Sequence, residues 1–207
     1  MVVNAILSSY NGTLLEFAKT LYEHFGYEGI AQVELSDGSR YGGLSYDTEK
    51  NKILVTLQPA RDYALSEKTN SDPRVKASYN IISKKTRNLI NGKMKKVDAD
   101  FLYTIFCICH ELGHYVDYQN QAHETDNNNK RDNEIAKIEI AYQQQLEKGI
   151  SPESAAKRRE IAYRNLPEER SADNYAEECL KILLSDPAFT GKLLAQIVPD
   201  ESSYDAR

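Results

Sequence analysis

FCICHELGHYVD, residues 106–117, places two histidines four positions apart inside an apolar run, with a glutamate directly after the first. On an α-helix, residues four apart lie on one face, one turn above the other. His110 and His114 can therefore both aim an imidazole nitrogen at one Zn²⁺. Glu111 is rotated ~100° from His110, because the helix has ~3.6 residues per turn. It stands beside such an ion rather than on it. There it can take a proton from an activated water and hand it to a leaving amine. Gly113, within the same turn, suits close packing against a neighbouring helix.

A catalytic zinc takes three protein ligands and keeps one position open. The third ligand must come from elsewhere in the chain. The compact arrangement HExxHxxGxxH fails, because Asp117 stands where the glycine belongs and Asn120 where the third histidine belongs. The remaining sources are His24, His123 or a carboxylate on another helix. EERSADNYA, residues 168–176, supplies the better candidate. Ala172, Ala176, Cys179 and Leu183 make a buried stripe, and one turn further back that stripe reaches Glu169, with Glu168 turned ~100° away. A carboxylate within an apolar stripe needs a partner, since burying it alone is costly. Asp173, four residues on, can then accept a hydrogen bond from a ligand histidine. The shifted pair, Asp173 as ligand with Glu177 behind it, repeats the same spacing and stays open. A tyrosine commonly steadies the oxyanion in such chemistry. Of 14 tyrosines, Tyr163 is singled out by its place just before the glutamate helix, whereas Tyr175 is expected in the core.

HELGH followed by a distant E-x-x-A-D resembles the glutamate-zincin metallopeptidases. The segment 169–176 looks like the glutamate helix of the ImmA/IrrE-like peptidases. HELGHYVD is also similar to the metal helix of phage and lethal factor-like zincin domains. The resemblance covers these two segments and the order of elements around them. It implies one zincin-like domain over 1–207, a zinc endopeptidase acting on a protein or peptide substrate, and a ligand set of His110, His114 and Glu169. The long segment between His114 and Glu169 implies an inserted helical hairpin over 131–165.

Elsewhere, local patterns predict the remaining elements. Thr13 to Glu16 is a capping box, and Leu14, Phe17, Leu21 and Phe25 follow at helical spacing. The period then changes: 32–35, 41–46 and 52–57 read as three short strands joined by hairpins. The expected N-terminal lobe, 13–60, is thus a helix and a three-stranded antiparallel sheet. Residues 59–71 read as a polar connection. Asp72-Pro73 opens a helix that Asn91-Gly92 stops. The HExxH helix is expected over 98–121, a loop over 124–137 leading into two helices, 135–148 and 151–166, and the glutamate helix over 167–184. A frayed tail follows from Pro199. The fold class is α+β, mostly helical. An edge strand of the sheet is expected to lie above the metal and pair with substrate main chain, with 52–57 the first candidate and 41–46 the second.

A hydrophobic share of 41% suits a globular chain with a real core, and a net charge of −5 gives no reason to expect nucleic acid. The lysines and arginines of 84–96 lack aromatic interleaving and read as a solvated helix face. Apolar runs fall short of the ~20 residues of a membrane helix, and the N-terminus lacks the basic region of a signal peptide. Cys107, Cys109 and Cys179 are an odd set, which reads as buried reduced thiols in a cytoplasmic protein. A zinc-holding interaction module without catalysis is the alternative to an enzyme.

Overall fold

A computed structural model describes residues 2–33, 43–90, 96–120 and 125–195. The tail from Pro199, expected to fray, and His123 lie outside the described residues.

The organising element is α5, Lys96–Asn120. From Phe101 to His110 every residue is buried, as expected of a helix whose apolar residues run all the way round. Against it lie α8, Pro167–Ser185, with α2, Leu14–His24, α3, Ala60–Thr69, and α4, Pro73–Leu89, around the remaining faces. The capping box of α2 forms: Glu16 N donates to Thr13 Oγ1 at 3.2 Å, and Thr13 N donates to Glu16 Oε2 at 2.8 Å. Asp72 caps α4, accepting from Arg74 N at 2.8 Å.

Three strands form the sheet: β1, Ala31–Val33, β2, Leu44–Asp47, and β3, Lys52–Val55. The order is β1-β3-β2. Strands β2 and β3 make the expected hairpin, with Leu44 opposite Val55 and Tyr46 opposite Ile53. Strand β1, however, pairs with β3 in parallel, Ala31 opposite Ile53. The sheet is therefore mixed, and the antiparallel expectation is corrected. The reason lies in burial. Ile53 and Val55 are fully buried, so β3 takes the centre and separates the other two strands. Its central place also removes 52–57 as a free edge for substrate.

Four helical segments depart from the expected pattern. The polar stretch read as a connection is α3. The Asn-rich stretch read as a loop is the first half of α6, Thr125–Glu147. Two further short helices are α1 over Val2–Ser9 and α9 over Pro187–Ala195. In α3, packing of Ala60, Tyr63 and Ala64 against α4 and α5 overrides weak local propensity. Helix α7, Pro152–Arg164, pairs with α6 as the expected hairpin. It packs on α4 through a small second core of Ala77, Tyr142, Ala155 and Ala156. All three cysteines are free and buried. Among the described residues, no helix is long and apolar enough to cross a membrane.

Candidate metal centre

The crossing of α5 and α8 is unusually close because residue 113 has no side chain. A Cβ built on Gly113 would stand 2.7 Å from Ala172 Cα and 3.1 Å from Ala172 O. That approach brings the glutamate helix onto the two histidines. Nε2 of His110 lies 3.1 Å from Nε2 of His114 and 3.2 Å from Glu169 Oε2, and His114 Nε2 lies 3.6 Å from the same oxygen. Zinc with N and O ligands at ~2.0–2.1 Å and tetrahedral angles spaces its donors ~3.3–3.4 Å apart. The observed triangle straddles that spacing, so these three side chains fit a zinc ion. Glu169 is 1% exposed, and the three donor atoms face one another in a buried space.

The far side of each ligand is held as well. Tyr163 donates its hydroxyl to Glu169 Oε1 at 2.7 Å, and Arg131 reaches the same oxygen at 3.2 Å. Oε2 is thereby left for the triangle. Asp173 sits behind His110, its Oδ1 2.9 Å from Nδ1; the approach is close but bent from the N–H axis. Asp173 is itself gripped by Arg164 at 2.7 Å and by Lys85 at 3.1 Å. This is the arrangement in which a carboxylate orients a ligand histidine.

The charges are strongly coupled. Burial opposes charge on His110, but Asp173 and Glu169 outweigh it and raise the imidazole pKa to about 9. Burial would also raise the carboxyl of Glu169, yet hydrogen bonds from His110 and His114 hold it well below the usual range. Asp173, against the same opposing burial, is lowered to about 2 by His110, Arg164 and Lys85. Burial, then the charge of Glu169, raises Tyr163. The cluster is built to keep both carboxylates ionised.

A cavity of about 740 Å³ opens onto the cluster, and Glu111, Tyr163 and the β2 residues Leu44 to Tyr46 line it beside the histidines. His110, His114, Glu111, Glu169, Asp173 and Tyr163 therefore all come together. His24 does not: it is exposed at the end of α2, its ring against Phe25. The shifted pair also fails as a ligand set, because Asp173 lies on the Nδ1 side of His110 and Glu177 is 2.8 Å from Lys85. Lys85, read as solvated, thus turns inward. Sequence reasoning missed Arg131 and Arg164. Both come from charged helices whose local pattern is that of a solvated face, and only the packing of α6 and α7 brings them inside.

Comparison of the chain with protein-family models, with curated proteins and with solved structures gives no match.

Proposed function

We propose that the chain is a zinc-dependent endopeptidase with a zincin-like arrangement, related to the ImmA/IrrE-like and lethal factor-like zincin domains. The observation that carries this reading is the His110–His114–Glu169 triangle, which has the donor spacing of a tetrahedral site and faces a cavity that also holds Glu111. Zinc held there would bring the pKa of a water towards ~7 and polarise a peptide carbonyl. Glu111 acts as general base towards the attacking water and returns the proton to the leaving amine. Asp173 orients His110, and Arg131 holds the outer oxygen of Glu169. Tyr163, now a donor to Glu169, is the cavity-lining hydroxyl suited to the oxyanion once substrate arrives.

The substrate is an extended peptide. Strand β2 is a sheet edge on the cavity wall, and adding a strand there holds a main chain in the form that hydrolysis needs. Reduced, buried thiols favour a cytoplasmic setting.

Metal analysis of the purified protein tests the site, and one zinc per chain is expected. Glu169→Ala should lose it. Full occupancy in that variant would overturn the ligand set. Glu111→Gln should keep zinc and melting temperature while hydrolysis of protein substrates falls by at least ~10²–10⁴-fold. A zinc-loaded wild type that cleaves nothing in a proteome digest would replace the enzyme with a zinc-holding interaction module.

A further inference from the structure

The described residues include four buried carboxylates: Glu67, Glu160, Glu169 and Asp173. Three have cationic or hydroxyl partners. Glu160 meets Arg159 at 3.2 Å and Arg164 at 2.8 Å. Glu169 and Asp173 are held as described above. Glu67, 7% exposed, has no hydrogen-bond or ion-pair partner among the described residues. Packing does not call for a carboxylate there, because an apolar residue of similar volume would fill the space without the cost of burying a charge. Burial pushes this carboxyl up to about 7, a shift that an entering cation would reverse.

Its surroundings suit such a cation. Tyr63, one turn before Glu67 on α3, and Tyr103 on α5 are buried, with ring centroids 6.0 Å apart and planes 30° from parallel. Both rings, Cys107 and Glu67 line the cavity that contains His110 and His114. A carboxylate on the wall of a cavity, beside two tyrosines, binds an ammonium or guanidinium group by ion pairing and charge-assisted hydrogen bonding. The place along α5 is also suitable. Cys107 and Tyr103 stand three and seven residues before His110, ~4.5 and ~10.5 Å along the helix axis. A long side chain one residue removed from the bond under attack spans that interval.

We infer that Glu67, with Tyr63 and Tyr103, forms a recognition subsite for a lysine or arginine side chain of the peptide that lies at the metal triangle. This rests on the peptidase reading for the peptide's position, and on the Glu67 carboxylate, without a partner among the described residues, for the charge of its side chain.

Acetylated, amidated hexapeptide pools test it, each pool carrying one fixed lysine, arginine, norleucine or glutamate. Two readouts separate the two ideas: cleavage by the zinc-loaded wild type, and equilibrium binding to zinc-loaded Glu111→Gln. Lysine and arginine pools should be cleaved and bound at least ~10-fold better than the norleucine pool, as expected for a desolvated charge pair. Glu67→Gln, in either background, should level that preference with zinc content unchanged. Binding preference without cleavage would sustain the subsite and remove the peptidase reading. Equal treatment of the lysine and norleucine pools in both readouts, including no response to either, would overturn the subsite. So would a preference that survives Glu67→Gln in a variant that melts as wild type does.

Discussion

At the scale of single residues, two kinds of buried carboxylate stand near the histidine pair. Glu169 and Asp173 are ionised because partners surround them; burial raises Glu67 from 4.5 to about 7. Between these two values the folded chain keeps a proton that the unfolded chain has released. Stability therefore falls as pH rises through that window, by up to ~1.4 kcal/mol per pH unit, and levels off above about 7. Tyr63, Tyr103 and Cys107 face the carboxyl, and none of them supplies a compensating cation. Glu67→Gln should remove this decline. Denaturant titrations of wild type and variant should show the variant's relative stability growing from pH ~5 to pH ~7. A constant difference across that range would show that Glu67 titrates normally. His110 and His114, by contrast, act as a pair, and their value comes from the helical period that stacks them.

At the scale of elements, the centre depends on how closely α8 approaches α5. Gly113 permits that approach, and the atoms a methyl group would meet belong to the Ala172 backbone and Tyr175 Cβ, the latter at 3.1 Å. Backbone cannot swing aside as the end of a flexible side chain can. Gly113→Ala gains ~0.5–1 kcal/mol from reduced chain entropy, but overpacking of this kind costs ~1–3 kcal/mol. The second effect prevails. The variant should melt lower and bind zinc more weakly, since the displaced helix carries Glu169. Calorimetry with metal titration measures both, and unchanged zinc affinity would mean that the crossing accommodates a Cβ. The sheet follows similar logic. Its most buried strand, β3, took the centre, which left β2 as the edge on the cavity.

At the scale of the whole molecule, the α6–α7 hairpin is joined to the candidate metal centre by charge. From Asp72 the ionic chain runs through Arg74, Glu139, Arg159, Glu160 and Arg164 to Asp173, and so to His110. The 3.9 Å contact between Arg74 and Glu139 is the longest of these ion pairs. Arg164 is the junction, since it bonds Glu160, Asp173 and Ser78. Removing one partner from a buried ion network leaves charge uncompensated, at a cost of ~3–5 kcal/mol. Arg164→Ala should lower stability by that order and weaken zinc binding ~10–100-fold through the loosened Asp173. Arg164→Lys, which keeps charge but not the two-pronged geometry, should recover part of the stability. Equilibrium unfolding with and without a chelator checks this. A variant whose zinc affinity matched wild type would separate the hairpin from the metal centre.

The sequence by itself determined what depends on the helical period: His110 and His114 on one face, Glu111 beside them, and Glu169 and Asp173 on the inward face of a second helix. These are local relations, set by residues within a few turns. It also marked the β2–β3 hairpin and the two helices of the insertion, since alternation and turn residues are equally local. Tertiary structure decided the rest. The donor spacing of the triangle, the parallel seat of β1 and the helicity of α3 came from packing between distant segments. The inward turn of Lys85, Arg131 and Arg164, and the burial of Glu67 without a partner among the described residues, came from it too. A charged side chain on a polar helix has the same local pattern whether it meets water or a buried carboxylate. Which it meets depends on the neighbour that folds against it.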